Sequence, residues 1–215
     1  MAMSLTKLAA VATICAVLTA APDAHSWGPE RRKVLTPVDS IELVDVLRDG
    51  HLQEFKRKPN RTRLSMAWAQ VGLENGRGAL VYDLNLGNIG PSRYGNDPWY
   101  FHVPGARYRA FDDLMTSSRA YWRVIARCGS AMRAFDDGDP TSAARALKRC
   151  GYYGAPGPAY EAGLRSLFYE ALGEAVPTSE RRIRRRQEEE REERESAEVE
   201  LRFPFTPACG CSRWD

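Results

Sequence analysis

A-W-A-Q-V-G-L-E-N-G-R-G, residues 67 to 78, reads as an apolar helix that ends on a carboxylate, Glu74, with Gly76 and Gly78 directly behind it. Glycine ends helices because it takes the left-handed conformation that follows the last turn. Leu64, Trp68 and Val71 stand at i, i+4 and i+7, so the spacing predicts a helix from Thr62 to Asn75 with one apolar face. Burying a carboxylate at a helix end is costly unless it is used or neutralised. The negative end of the helix dipole disfavours the ionised form as well. Both effects raise a carboxyl pKa, as a general acid working near neutral pH requires. Glu74 is therefore the candidate catalytic residue, and a plain helix-end acid paired with an arginine is the competing reading.

Working outward, S-I-E-L-V-D-V-L-R-D-G-H-L-Q-E-F (40–55) predicts a first helix with Ser40 as its N-cap. Residues 81–108 hold Gly, Pro, Asn and aromatic residues without helical period, which predicts a loop-rich lobe with a short hairpin whose strand includes W-Y-F-H-V. A third helix is expected over 113–126, with Asp112 or Asp113 as its cap. An αα-hairpin follows, its turn at D-D-G-D-P, with Asp139 as N-cap and Pro140 at the first helical position. Such a hairpin brings Cys128 and Cys150 together at the far ends of its arms, so a disulfide is expected, with two buried free thiols as the alternative. The segment 160–172 closes the core as a last helix. Beyond Pro177, residues 178–200 carry blocks of both charges and no a/d repeat, which predicts a solvated single helix or a flexible linker. A tail with Cys209 and Cys211 (201–215) ends the chain. The fold class is mainly α, with a small loop-rich or β lobe.

The chain has 215 residues, 43% apolar and 27% charged, with a formal net charge of +3. That small excess does not argue for nucleic acid, and the glutamates beside the C-terminal arginines cancel them. It is compatible with an anionic polymer such as cell wall. At the N-terminus Lys7 precedes the apolar run Leu8 to Ala21, and small residues follow to Ser26. This is the layout of a secretory signal peptide over residues 1–26. The apolar run, about 14 residues, is shorter than a membrane-spanning helix needs, although an uncleaved anchor is the alternative. A secreted or periplasmic protein without a stable membrane span is expected. Export leaves Cys128, Cys150, Cys209 and Cys211, an even number in a compartment that permits disulfides. His25, His51 and His102 show no ligand spacing, so neither a metal nor an organic cofactor is implied.

Four motifs in order resemble the glucosaminidase family (mannosyl-glycoprotein endo-beta-N-acetylglucosaminidase-like domain) of the lysozyme-like superfamily, which includes autolysins and flagellar peptidoglycan hydrolases. A-W-A-Q-V-G-L-E-N-G-R-G stands where the family has A-L-A-Q-x-x-L-E-S/T-G-W-G. N-L-G-N-I-G (85–90) echoes Y-N-L-F-G-I, and Y-R-A-F-D (108–112) echoes F-R-A-Y-D. G-Y-Y-G-A-P-G-P-A-Y-E-A (151–162) echoes G-Y-A-T-D-P-x-Y-A. The resemblance covers a domain over residues 38–174 and implies a lysozyme-like helical fold around a sugar-binding cleft. It implies hydrolysis of a β-1,4 bond in peptidoglycan glycan strands, with Glu74 as the acid and Tyr152 in the catalytic centre. Tyr153 is an adjacent candidate, and Asn85 lies in the segment that shapes the cleft floor. Tyr94, Trp99 and Tyr100 are candidate sugar platforms, unless they only form the lobe's own core. The family's second carboxylate comes from the mobile lobe, where Asp97 is the acid available between Gly90 and Tyr108. Without it, either the substrate's N-acetyl group acts as nucleophile or the domain binds wall without cutting it efficiently. The sequence departs from the family pattern at Arg77, where Trp is usual, and at Gly87-Asn88, where Phe-Gly is usual.

Overall fold

Polar caps set the helix starts in the computed structural model, which describes residues 29–91 and 99–202. Helix α1 (Ser40–Phe55) is capped by Asp39, whose carboxylate accepts from the N–H groups of Ile41 and Glu42 at 2.9 and 3.1 Å. The cap thus falls one residue before the expected Ser40, because a carboxylate one place earlier satisfies two of the free N–H groups. Asn60 opens α2 (Arg61–Asn75) and Asp113 opens α3 (Leu114–Arg127). Helix α4 (Gly129–Asp137) and α5 (Pro140–Arg149) form the expected αα-hairpin, with Asp139 as cap and Pro140 at the first position of α5. Strands β1 (Tyr100–Val103) and β2 (Ala106–Arg109) pair antiparallel around Pro104-Gly105, with Tyr100 opposite Arg109. The chain is mainly helical, and this hairpin is the sheet among the described residues.

Helix α6 (Gly157–Glu170) does not end where the sequence reads as broken. A π-helical turn, Ala171–Ala175, joins it to α7 (Val176–Arg202), so Pro177 lies within one continuous helical rod. In the π register Val176 donates to the carbonyl of Ala171, and the donor due to Leu172 would be the N–H that Pro177 lacks. Arg61 takes that place, its Nη2 donating to the Leu172 carbonyl at 2.8 Å. The charged segment is therefore a helix. At its base, Asp45 of α1 accepts hydrogen bonds from Arg48, Ser179 and Arg182 and ties α7 to the body. Among the described residues no helix is long and apolar enough to cross a membrane.

Helix α2 is enclosed rather than amphipathic. Met66, Ala67, Trp68, Ala69, Gln70 and Val71 all have zero exposure. Small residues at 67, 69 and 72 allow α1, α4 and α6 to close around it. Two indoles bind α1 from opposite partners: Trp68 Nε1 donates to the Ser40 carbonyl at 2.9 Å and Trp122 Nε1 to the Leu47 carbonyl at 2.8 Å. Where α3 crosses α1, Gly50 faces Ser118, whose hydroxyl donates to the Val46 carbonyl at 2.9 Å. A buried relay joins α1, α2 and α4. Arg63 pairs with Asp136 and donates from Nη1 to Nε2 of His51, and Nδ1 of His51 donates to the Arg57 carbonyl. Burial lowers the pKa of His51 and keeps it neutral in this tautomer. The disulfide Cys128–Cys150 closes the α4–α5 hairpin with its Cα atoms 6.1 Å apart.

Two stability outcomes follow from this packing. A Cβ on Gly50 would lie 2.1 Å from the Ser118 hydroxyl oxygen, so Gly50→Ala is expected to destabilise by about 1–3 kcal/mol in denaturant titration. Gly173→Ala, also in helical backbone but facing open space, is the control that carries the propensity gain without the clash and is expected to be neutral to slightly stabilising. Replacing Cys128 and Cys150 together by Ser releases a loop of 22 residues and is expected to cost about 3 kcal/mol in the same assay.

Candidate active site

The end of α2 delivers Glu74 to a half-buried position through a turn of three left-handed residues, Gly76, Arg77 and Gly78 (φ 62, 61 and 97°). Gly78 is required there, since a Cβ would lie 2.2 Å from the Val38 carbonyl oxygen. Asn75, fully buried, accepts from Gly78 N–H and donates to the Leu86 carbonyl, both at 2.8 Å, and so ties the helix end to the 85–89 loop. That loop winds around Asn85, whose amide donates to the carbonyls of Ile89 and Arg109 and accepts from Ile89 N–H. Asn85 has zero exposure. Its amide is engaged by backbone groups of Ile89 and Arg109, so it holds the loop beside the site from within.

Three neutral side chains surround the Glu74 carboxyl. Tyr160 Oη donates to Oε1 at 3.0 Å, and Asn88 Nδ2 approaches Oε2 at 3.4 Å while donating to the Glu74 backbone carbonyl at 3.0 Å. Gln70, one turn earlier on α2, donates to Tyr160 Oη at 3.3 Å. Burial raises the Glu74 pKa above the usual carboxyl range, against the hydrogen bonds from Tyr160, Asn88 and Gln70 that favour the anion. No charged group figures among the causes. Arg77, the arginine nearest in sequence, is bidentate to Glu170 instead, at 2.7 Å through both Nε and Nη2. Among the described residues Glu74 therefore holds no ion pair with an arginine.

Tyr152 donates to the Gly87 carbonyl at 2.7 Å. Burial, and after it the Glu74 charge, raises the pKa of both Tyr152 and Tyr160, so both hydroxyls stay protonated donors. Tyr121 is fully buried, and its pKa is raised by burial first and then by Tyr152, Tyr160 and Glu74. Gly87 fits because it has no side chain: a Cβ would meet Tyr121 and Tyr152 at 2.8 Å. Beside this cluster lies a cleft of about 810 Å³, walled by Asn88, Ile89 and Pro91, by Arg109 and Arg127, and by the disulfide with Tyr152.

The other sequence candidates fall elsewhere. Tyr153 stacks on Tyr160 with ring centroids 3.5 Å apart and donates to the Ala144 carbonyl, so it backs the site. Trp99 and Tyr100 sit on the hairpin outside the cleft lining, with Arg31 over the Trp99 ring at 4.2 Å and Arg107 over Tyr100 at 5.6 Å. Asp97 and Tyr94 lie outside the described residues. Asp112 pairs with Arg31 and Asp113 caps α3. Sequence reasoning gave no role to Tyr160, Asn88 or Gln70. Gln70 was detectable from its i, i+4 spacing to Glu74, and Tyr160 as the third tyrosine of the 151–162 motif. Among the described residues no group of His, Cys, Asp and Glu is arranged to hold a metal ion. Compared as a whole, the chain matches no family model, no curated protein and no solved structure.

The Glu74 environment has a consequence for stability. Its folded-state pKa lies above the ordinary 4.5, so between those two values the unfolded chain gives up the proton first. Folding stability therefore falls as pH rises through that window. Glu74→Gln is expected to raise the melting temperature at neutral pH and to change it little at pH 4. A variant that is less stable than the wild type at neutral pH contradicts this.

Proposed function

We propose that the chain is a glycoside hydrolase that cuts a β-1,4 bond in the N-acetylglucosamine/N-acetylmuramic acid glycan of peptidoglycan, with Glu74 as its general acid. One observation carries the reading: a half-buried carboxyl with a raised pKa, contacted among the described residues by the neutral donors Tyr160 and Asn88, the second of which also lines a cleft of about 810 Å³. Such a group is structurally expensive and chemically useful. The ordered motifs of a lysozyme-like glucosaminidase support it. So does the cleft cation Arg127, which suits a glycan bearing carboxylates. The signal-like residues 1–26 support a secreted or periplasmic location.

The protonated Glu74 gives its proton to the glycosidic oxygen as the bond from that oxygen to the anomeric carbon breaks. The carbonyl oxygen of the sugar's own N-acetyl group bonds to the anomeric carbon and forms a cyclic oxazolinium ion. Water then adds at that carbon, its proton passing to the Glu74 carboxylate, and the ring reopens. This route needs no second carboxylate, and no acid acts on Glu74 among the described residues. Tyr160 and Asn88 hold the carboxyl, and Tyr152 holds the loop that walls the cleft. Because the acid must be protonated, activity declines as pH rises through the Glu74 pKa.

Among the described residues no carboxylate contacts Glu74, and that favours a second reading, a wall-binding module of this fold with little or no catalysis. A turbidity assay on purified cell wall separates the two. Glu74→Gln is expected to slow clearing by about 10²- to 10⁴-fold, the range that general acid catalysis contributes. Equal clearing by both proteins removes the role of Glu74. Wall pull-down without clearing by either supports the binding module.

A further inference from the structure

Helix α7 carries a charge pattern that wall hydrolysis does not use. Residues 180 to 194 read E-R-R-I-R-R-R-Q-E-E-E-R-E-E-R, and the pattern is antisymmetric about Gln187. Residues equally far before and after Gln187 carry opposite charges: Arg186 and Glu188, Arg184 and Glu190, Glu180 and Arg194. Out to those last positions the single departure is Ile183, opposite Arg191. A two-fold axis across a helix at Gln187 sets each residue before the axis against its counterpart after it on a second copy. Two helices meet along one face, and on that face antiparallel self-pairing sets each charge from 180 to 194 against its opposite, Arg191 excepted.

The structure leaves this surface available. Asp45 holds the base of α7, and residues 184–198 are exposed. Among the described residues neither Arg184–Arg186 nor Glu188–Glu190 holds an ion pair, while Arg191 and Glu195 pair at 3.7 Å. Within one helix the pattern also sets like charges one turn apart, Arg181 with Arg185 and Glu189 with Glu193, which is unfavourable. Two grooves along α7 are complementary. One is lined by Arg181, Arg182, Arg184 and Arg185 together with Glu188, beside Asp39 and Ile41, and the other by Glu189, Glu192 and Glu193. The axis at Gln187 sets Arg181 and Arg185 against Glu193 and Glu189 of a second copy, while Arg182, the counterpart of Glu192, is already held by Asp45.

We infer that α7 is a self-association surface on which two copies pair antiparallel about Gln187, held by charge. There is no apolar seam, and exposed ion pairs are individually weak, so the dimer is salt-labile. Sedimentation of the whole protein tests it. At about 0.01 M salt a dimer is expected, and at about 1 M salt, where screening shortens to a few Å, a monomer. The variant R184E/R185E/R186E presents acid on both sides of Gln187, and E188R/E189R/E190R presents base on both sides. Each alone is expected to be monomeric at low salt, and their equimolar mixture to form a mixed dimer. Melting temperatures near that of the wild type check that these exposed changes leave the fold intact. A wild type that stays monomeric at low salt overturns the inference. So does a dimer indifferent to the swaps, as one joined through tail cysteines would be, or a mixture that stays monomeric.

Discussion

Enclosing α2 on every side constrains everything around it, because its buried donors then need acceptors from neighbouring elements, although the Ser65 hydroxyl and the Gln70 carbonyl oxygen are buried without a hydrogen-bond partner among the described residues. Trp68 finds a carbonyl of α1, Arg63 finds Asp136 and His51, and Gln70 finds Tyr160 of α6. These bonds fix the order in which α1, α4 and α6 surround the central helix. The enclosure stops at the left-handed turn 76–78, which the N-terminal strap covers through the Val38 N–H donating to the Gly78 carbonyl. Glu74 emerges at that point. Its position follows from the packing of the whole helix more than from any one contact.

The site's electrostatics depend on where nearby cations are sent. An arginine three residues after a carboxylate is an ordinary salt-bridge partner, and a pair with Arg77 would hold the Glu74 pKa down. The left-handed backbone at Arg77 coincides with a side chain that reaches α6, where Glu170 takes both of its donors. Glu74 is left with tyrosine and amide donors, which position a carboxyl without fixing its charge. Tyr160 and Tyr152 remain donors over any relevant pH because burial and the Glu74 charge both oppose their ionisation.

Much of the helical layout is legible from local chemistry. Asp113, Asp139 and Gly76 mark helix boundaries within a residue or so, and the Cys128–Cys150 disulfide follows from the geometry of an αα-hairpin. What is not legible depends on partners distant in sequence. Pro177 reads as a break, but a π turn and the side chain of Arg61 carry the helix through it. Asn85 reads as a polar group lining a cleft, yet the backbone of its own loop consumes its amide. Leu64, Trp68 and Val71 suggested one apolar face, whereas the small residues between them let neighbours close on all sides. Glu74 was visible as an acid on a helix end, but its cage was not, since Tyr160 and Asn88 arrive from other parts of the chain.

The Gly87-Asn88 pair, a departure from the motif that the sequence otherwise resembles, is explained by this cage. At 87 there is no room for a Cβ between Tyr121 and Tyr152, so glycine is needed there. At 88 the backbone is left-handed at φ 48°, a conformation open to glycine and, among residues with side chains, best tolerated by asparagine and aspartate. Aspartate there would set a second negative charge against Glu74, and glycine would leave its Oε2 without a donor. Asparagine meets the backbone requirement and spans from the loop to both the carbonyl and the carboxyl of Glu74. Reversing the order would place a side chain where none fits and remove the donor where one is used. Gly87-Asn88 is therefore the order that this cage accepts.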